Sequence, residues 1–361
     1  MVKLGMRILA IDTSCDETAA AVTDDTKVLS NIIWSQASAH AKFGGIFPSL
    51  AQRMHEERID WVIDRAMLNA KCQMLNVDAI AVTIGPGLSI ALGVGVNKSK
   101  ELAKKYKKPL IPINHAEAHL LSPLANSIYN IPYTIFPAFG LCLSGGNTIL
   151  VKSNKIGEYE TLAKTTDDAL GEALDKAARL LGLGYPGGAI LEKFAKLGNP
   201  NKYKLPIPLI NDVIKNRFSY SGLKTAFVRL FSSIKNPTKQ DIYDLAASFQ
   251  NSAFLHIEKV LDYHCSLFTV HGSQKVTSLL FGGGVANNVE IKKRLRKLCK
   301  KHGITLLVPY SKKLNGDNAA MIGITAYLKN KMLNAKKLNA KYMNYDEVDR
   351  NPRLKITVHT N

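Results

Sequence analysis

At 361 residues the chain exceeds one ordinary hydrophobic core and fits two domains or one large α/β unit. Hydrophobic residues at 46% and charged residues at 21% exclude global disorder, and no apolar run of about 18 residues is available for a transmembrane helix. Lys+Arg 48 against Asp+Glu 29 gives a formal charge of +19, which favours a polyanionic partner or an acidic membrane face, although an AT-rich, lysine-inflating genome would produce the same sum.

Residues 7–11 and 19–23 are predicted as paired strands around a polar turn holding Asp12, Ser14, Asp16 and Glu17. The apolar run from Ile8 to Ile11 is too short for a signal-peptide core. Residues 50–69 carry helical spacing, with Leu50, Met54, Ile59, Val62, Ile63 and Ala66 on one side. A buried strand at 79–84 leads through Gly85-Pro86-Gly87 into a helix ending near 106. A strand at 110–113 follows, and a helix starts near His115. A polar, proline-marked link at 126–133 introduces a second alternating set. It holds strands at 139–143 and 148–152, helices near 168–181 and 241–268, and a strand at 276–281 entering Gly282-Gly283-Gly284. A strand at 305–308 precedes Asp317 and a helix to about residue 329. Residues 331–361 read as a basic, partly ordered tail, whose one imperfect internal repeat makes no solenoid. Strand–helix alternation in both halves predicts an α/β protein, and glycine loops after strands in each half suggest a nucleotide in a cleft between them.

The five cysteines, Cys15, Cys72, Cys142, Cys265 and Cys299, are odd in number and scattered without a C-x-x-C pair. A reducing, cytoplasmic setting is expected, with neither a disulfide framework nor a zinc ribbon.

His115-Ala116-Glu117-Ala118-His119 is the sharpest local signal. On a helix, His119 sits about 40° round from His115 and one turn along, so both imidazoles reach one metal ion. Glu117 falls on the opposite face, unlike the glutamate of the H-E-x-x-H peptidase helix. Chance placement of two histidines is the plainer reading, and a third ligand is required. Asp317, before the last helix, is a candidate ligand and equally a candidate N-cap. Gly85-Pro86-Gly87, Ser144-Gly145-Gly146-Asn147-Thr148 and Gly282-Gly283-Gly284-Val285-Ala286-Asn287-Asn288 each follow a strand. Bare backbone N–H groups there would cradle an oxyanion, yet each loop is also an ordinary turn. Two basic clusters, Lys98–Lys108 and Lys292–Lys301, offer the excess charge to an RNA or DNA backbone or to solvent.

Together these residues resemble the tRNA adenosine threonylcarbamoyltransferase family. The resemblance runs in order over residues 7–327. It rests on Ile11-Asp12-Thr13-Ser14-Cys15-Asp16-Glu17-Thr18, Gly85-Pro86-Gly87-Leu88, Asn114-His115-Ala116-Glu117-Ala118-His119 and Ser144-Gly145-Gly146-Asn147-Thr148. It continues through Gly171-Glu172-Ala173, Tyr185-Pro186-Gly187-Gly188, Phe218-Ser219-Tyr220-Ser221-Gly222-Leu223-Lys224-Thr225, Ala246-Ala247-Ser248-Phe249-Gln250 and Gly316-Asp317-Asn318-Ala319-Ala320-Met321.

The resemblance implies an actin-like ATPase fold of two related α/β domains with a central cleft. Residues 1–118 plus about 318–330 would form the first domain, 119–317 the second, and 331–361 a tail. It implies a bacterial-type catalytic subunit that moves threonylcarbamoyl from threonylcarbamoyl-adenylate to the exocyclic amine of the tRNA adenosine 3′ of the anticodon. The tRNAs would be those reading codons that begin with A, and AMP would be released. It further implies His115, His119 and Asp317 as ligands of one divalent metal, iron(II) first and zinc second. Cys142, Leu143, Ser144, Gly145, Gly146, Asp175, Gly188 and Asn288 would contact the adenylate. The implied partners are tRNA, a paralogous actin-like subunit and a small ATPase, with no membrane. Two departures stand: bacterial members often carry His where this chain has Asn147, and the doubled Asn287-Asn288 leaves that loop's register open by one residue. Some relatives place a metal-binding Tyr at Cys142, so a metal contact by this thiol stays open. Two rival classes remain, a metallopeptidase using the same histidines and a non-catalytic actin-like scaffold.

Overall fold

Residues 8–12, Ile-Leu-Ala-Ile-Asp, are buried without a break, as in a strand covered on both faces. The structure, a computed structural model, describes residues 5–126, 135–209, 216–269, 275–331 and 335–356. The expected link at 126–133 lies outside the described residues except at Asn126.

In chain order come β1 (Arg7–Asp12), β2 (Glu17–Asp24), β3 (Lys27–Ser35), α1 (Ala37–Ala41), α2 (Pro48–Asn69), β4 (Ala79–Gly85), α3 (Ser89–Tyr106), β5 (Leu110–Asn114) and α4 (His115–Leu121). Then follow β6 (Ala138–Leu143), β7 (Thr148–Lys155), β8 (Glu158–Thr165), α5 (Leu170–Leu180), α6 (Gly188–Ala195), β9 (Arg217–Phe218), α7 (Ser221–Ser233) and α8 (Lys239–Thr269). Last are β10 (Ser278–Gly282), α9 (Val289–Lys301), β11 (Thr305–Leu307), α10 (Ala319–Asn330) and α11 (Ala335–Tyr342). Among the described residues, no helix is long and apolar enough to cross a membrane.

The chain divides into two compact units, Met1–Thr134 with Ile156–Glu158 and Val308–Asn361, and Ile135–Lys155 with Tyr159–Leu307. The expected first boundary at 118 would have cut α4, a single helix. Residues 119–126 and 308–317 group with the first unit, and so do the described residues of the expected separate tail.

The first unit's sheet has the order β3-β2-β1-β4-β5, antiparallel from β3 to β1 and parallel from β1 to β5. Alternation along the strands points Leu9, Ile11, Ala20, Val22, Ile80 and Val82 to one face, where they join Ile59, Val62, Ile63 and Ala66 of α2 and Val96 of α3. Ala10 and Thr23 face the other way, towards α10. Gly323 of α10 lies so close that a Cβ would meet Thr23 Oγ1 at 2.7 Å and Ala10 Cβ at 3.3 Å. The stripe of α2 runs Ala51, His55, Ile59, Val62, Ile63, Ala66, Met67, whereas Leu50 and Met54 are half-buried. Polar His55 takes the expected apolar place because Thr18 Oγ1 stands 2.8 Å from its Nδ1 and the Cys15 carbonyl 3.0 Å from its Nε2. A carbonyl only accepts, so Nε2 carries the proton and Nδ1 accepts from Thr18.

The second unit repeats the order as β8-β7-β6-β10-β11, with β9 added beyond β8. Its central strand β6 is buried throughout, antiparallel to β7 and parallel to β10. The shared order is what a duplicated α/β unit would show.

Candidate functional site

β5 ends at Asn114, whose side-chain Oδ1 accepts from Glu117 N at 3.1 Å and so caps α4. All seven residues of α4 are buried. Helical spacing brings the His115 and His119 rings to 4.6 Å between centroids, edge to face at 83°. Asp317 stands in the loop before α10, and the cap of that helix is Asn318, whose Oδ1 accepts from Met321 N at 3.1 Å. The capping alternative for Asp317 therefore falls, and its carboxylate is left for another use.

That carboxylate faces both rings. Asp317 Oδ1 is 3.4 Å from His115 Nε2 and 3.1 Å from His119 Nε2, and one donor atom from each residue fits within 4.8 Å of the others. Two donors each about 2.1 Å from one tetrahedral ion stand about 3.4 Å apart, so the spacing suits a shared divalent metal. The second nitrogen of His115 is held from behind, with Ser14 Oγ at 3.1 Å and Asp12 Oδ2 at 3.5 Å from Nδ1. Asp12 Oδ2 and His119 Nδ1 are buried without a hydrogen bond among the described residues.

The electrostatics agree. Burial disfavours a charged His115, but the Asp317 and Asp12 carboxylates outweigh it and hold its pKa well above the ordinary histidine range. Burial keeps His119 below that range despite Asp317. Burial pushes the Asp317 carboxyl up, and the two rings overcome it and hold the group well below the usual carboxylate range. The ionised Asp317 carboxylate draws positive charge to the point between the two rings, and a metal ion there would displace the proton from His115. The residues present fit a divalent metal.

Glu117 confirms the face expected of it. It is buried 3% exposed on the far side of α4 and accepts from Lys329 Nζ at 2.7 Å. A carboxylate spent on an ion pair away from the histidines is no general base, and the metallopeptidase reading loses its key group.

The first glycine loop has a structural use. Leu88 N donates to the Ser14 carbonyl at 2.8 Å and Gly87 N to the Pro352 carbonyl at 3.2 Å. A Cβ on Gly87 would strike the Ser14 carbonyl, so this loop buttresses the β1–β2 turn behind His115 rather than cradling an oxyanion.

In the second unit, Cys142 and Leu143 are wholly buried within β6, so their side chains are strand core. Ser144 closes the following loop, its N donating to Asn147 O at 2.8 Å and its Oγ accepting from Asn147 N at 3.0 Å. Gly145 and Gly146 are exposed, and a Cβ on either would meet nothing within 4 Å, which leaves room for a ligand on bare backbone. Asp175 and Gly188 come together, Gly188 N donating to Asp175 Oδ1 at 2.6 Å. Asn288 caps α9, accepting from Glu290 N at 2.9 Å and Ile291 N at 3.2 Å, while its Nδ2 donates to Gln250 Oε1 at 2.9 Å. Gly283 holds φ at +94°, where a Cβ would run into Leu143 backbone. Sequence reasoning gave no role to Asp167 and Asp168. Asp167 accepts from Ser219 Oγ at 2.5 Å and Tyr220 N at 2.8 Å, and Asp168 pairs with Lys176 at 2.8 Å and with Lys224.

Both basic clusters are paired in part. Lys98 pairs with Asp60 at 2.8 Å and Glu101 at 2.9 Å, and Lys104 with Asp346 at 3.2 Å, while Lys105 and Lys107 stay exposed. In the second, Arg294 is taken by Glu290 at 2.7 Å and Lys301 by Asp262 at 2.8 Å. Lys293, Arg296, Lys297 and Lys300 stay exposed on α9.

The family model for tRNA N6-adenosine threonylcarbamoyltransferase matches residues 27–324. A protein of that name from Pelagibacter ubique (strain HTCC1062) is 42% identical over 335 residues, 90% of each chain. One from Chelativorans sp. (strain BNC1) is 42% identical over 322 residues, 88% of this chain and 87% of its own, and one from Bartonella henselae is 41% identical over 328, 88% of each. Among solved structures, full-length HypF in its phosphate- and nucleotide-bound form superposes with a TM-score of 0.55 at 13% identity, over 91% of this chain and 46% of its own. The (R)-2-hydroxyglutaryl-CoA dehydratase component A of Acidaminococcus fermentans gives 0.51 at 13% identity, over 90% and 99%. The fold is the actin-like ATPase fold.

Proposed function

The chain belongs to the tRNA N6-adenosine threonylcarbamoyltransferase family, and from that premise we propose that it transfers threonylcarbamoyl from threonylcarbamoyl-adenylate to the exocyclic amine of the tRNA adenosine 3′ of the anticodon. The observation that carries the reading at the level of the site is the convergence of His115, His119 and Asp317 on one point in the first unit. These three would hold one divalent metal, iron(II) before zinc, which when bound would supply Lewis acidity and an anchor for substrate oxygens.

The chemistry is an acyl transfer. The amine nitrogen forms a bond to the carbamoyl carbon, the bond from that carbon to the phosphate oxygen breaks, AMP departs, and the nitrogen loses a proton. The adenylate is an activated mixed anhydride, so its leaving group needs modest help. The open backbone of Gly145 and Gly146 would donate N–H groups to the departing phosphate, and the Ser144–Asn147 bonds hold that loop ready. The Asp175–Gly188 contact and the Asn288–Gln250 contact would fix the walls around the rest of the nucleotide, the remaining contacts coming from Cys142 and Leu143 through backbone. Ser14 and Asp12 hold the His115 ring in place. The weakly basic aryl amine would need chiefly to be positioned next to the carbonyl.

The tRNA backbone would lie against Lys293, Arg296, Lys297 and Lys300, the cations left exposed on α9. A paralogous actin-like subunit and a small ATPase would be the partners, in the cytoplasm. The test is transfer of labelled threonylcarbamoyl from its adenylate to tRNA, with and without those partners. Label in the adenosine 3′ of the anticodon supports the reading; cleavage of polypeptide without tRNA, or no transfer in the full mixture, overturns it.

A further inference from the structure

Past α11 the chain turns back over the first unit and is held there at several points. Val348 is 6% exposed within the core that holds Leu9, Ile11 and Val82, and Tyr345 packs beside it. Asn351 N donates to Ile84 O at 2.6 Å, Gly87 N to Pro352 O at 3.2 Å, and Asn114 Nδ2 to Lys355 O at 3.2 Å. A Cβ on Gly85 would collide with the Asn351 carbonyl, and one on Gly93 with the Arg350 guanidinium, so two glycines leave room for this segment. Residues 345–356 are a strap, not an appendage.

The bond to Asn114 joins the strap to the metal helix. The Asn114 amide offers one acceptor face and one donor face, and each meets its match. Oδ1 takes the N–H of Glu117 at the first turn of α4, and Nδ2 gives to the Lys355 carbonyl. Were the amide turned over, NH2 would face N–H and oxygen would face carbonyl, two repulsions in a site where Asn114 is 9% exposed. The Lys355 carbonyl thus selects the orientation in which Asn114 caps the helix carrying His115 and His119.

We propose that residues 345–356 act as a strap that locks the Asn114 amide and, through it, the placement of the two histidines, so that metal affinity depends on the C-terminal segment. Asn114 is here a positioning residue. The inference rests on His115, His119 and Asp317 binding a divalent metal.

The test uses Co(II) as probe, titrated into the metal-stripped full chain, a chain ending at Arg353, Asn114→Asp, and the two changes combined. Affinity and the visible cobalt absorption are read, and circular dichroism follows folding. Ending at Arg353 keeps Val348 and the Asn351 and Pro352 contacts but removes the Lys355 carbonyl. Asn114→Asp keeps the capping acceptor and loses the donor, so it reads the same link even where the shortened chain folds poorly. Each change is expected to weaken Co(II) binding about tenfold and shift the absorption, the combination doing no more than either alone. Unchanged affinity and spectrum in both, or losses that simply add, would overturn the strap's role while the metal site stands. A full chain that takes up no Co(II), or that takes it up equally as His115→Ala, would overturn the metal reading and the strap with it.

Discussion

Ser14 Oγ stands 3.1 Å from Nδ1 of His115, while Nε2 of the same ring faces Asp317 Oδ1 at 3.4 Å. The turn between β1 and β2 therefore orients a metal-ligating ring from the rear. Ser14→Ala is expected to weaken metal binding by roughly tenfold with the fold intact, as loss of a partner behind a ligand commonly does. Equilibrium dialysis against a divalent metal measures it; undiminished affinity would remove Ser14 from the site.

Glu117 and Lys329 form a largely buried pair at 2.7 Å on the far face of α4. Removing the cation leaves a carboxylate in a dry environment. Lys329→Met should cost about 1–3 kcal/mol in urea unfolding, below the figure for a fully buried pair because Lys329 is partly exposed. Glu117→Gln should keep metal content and transfer within a few-fold. An abolished reaction with metal retained would return Glu117 to the chemistry.

Gly171, at the start of α5, packs against the loop after β6, and a Cβ there would sit 2.6 Å from Ser144 O and 2.8 Å from Gly145 N. Those are backbone atoms, which cannot swing aside. Gly171→Ala should displace the loop, raise KM for the adenylate about tenfold and leave metal content unchanged. Steady-state kinetics with adenylate varied at saturating tRNA distinguishes this from a general loss of folding.

Burial pushes His264 down to about 4 and His256 down to about 4, the latter despite the Asp167 carboxylate. Unfolded histidine titrates near 6.5, so the unfolded chain takes up protons first as pH falls. The second unit should be most stable above pH about 6.5 and weaken from there towards pH 4, each ring withdrawing up to about 3 kcal/mol by pH 4. His264→Phe keeps a ring in the site and should flatten that acid limb in thermal melts between pH 7 and 4. A limb unchanged by the substitution would place the acid sensitivity elsewhere.

What could be read from the residues alone follows from range. The histidine pair was legible because a helix turns spacing of four into proximity, and strands such as β1, β4 and β6 because burial on both faces demands continuous apolar runs. β3 and β8 passed unnoticed, as half-buried strands of mixed polarity carry neither a clean alternation nor an apolar run. Ser14 and Asp12 meet His115 across about a hundred residues, and nothing in local spacing announces that. Asp317 and Asn318 are both good caps, and only the backbone geometry gave the cap to Asn318. The strap was least legible of all, since the atoms that dock it are largely backbone: Asn351 N, Pro352 O and Lys355 O. Lys98 and Lys104 looked free of these partners because the acids, Asp60 and Asp346, are distant in sequence.

The central claim is that His115, His119 and Asp317 hold a metal on which threonylcarbamoyl transfer depends. The most direct measurement determines metal content and labelled-threonylcarbamoyl transfer to tRNA together, for the unaltered chain and for His115→Ala, each supplied with the partner subunits. The account predicts about one divalent metal per chain and robust transfer for the first, with both lost by at least tenfold in the second. A His115→Ala chain that keeps its metal and its transfer rate would contradict it.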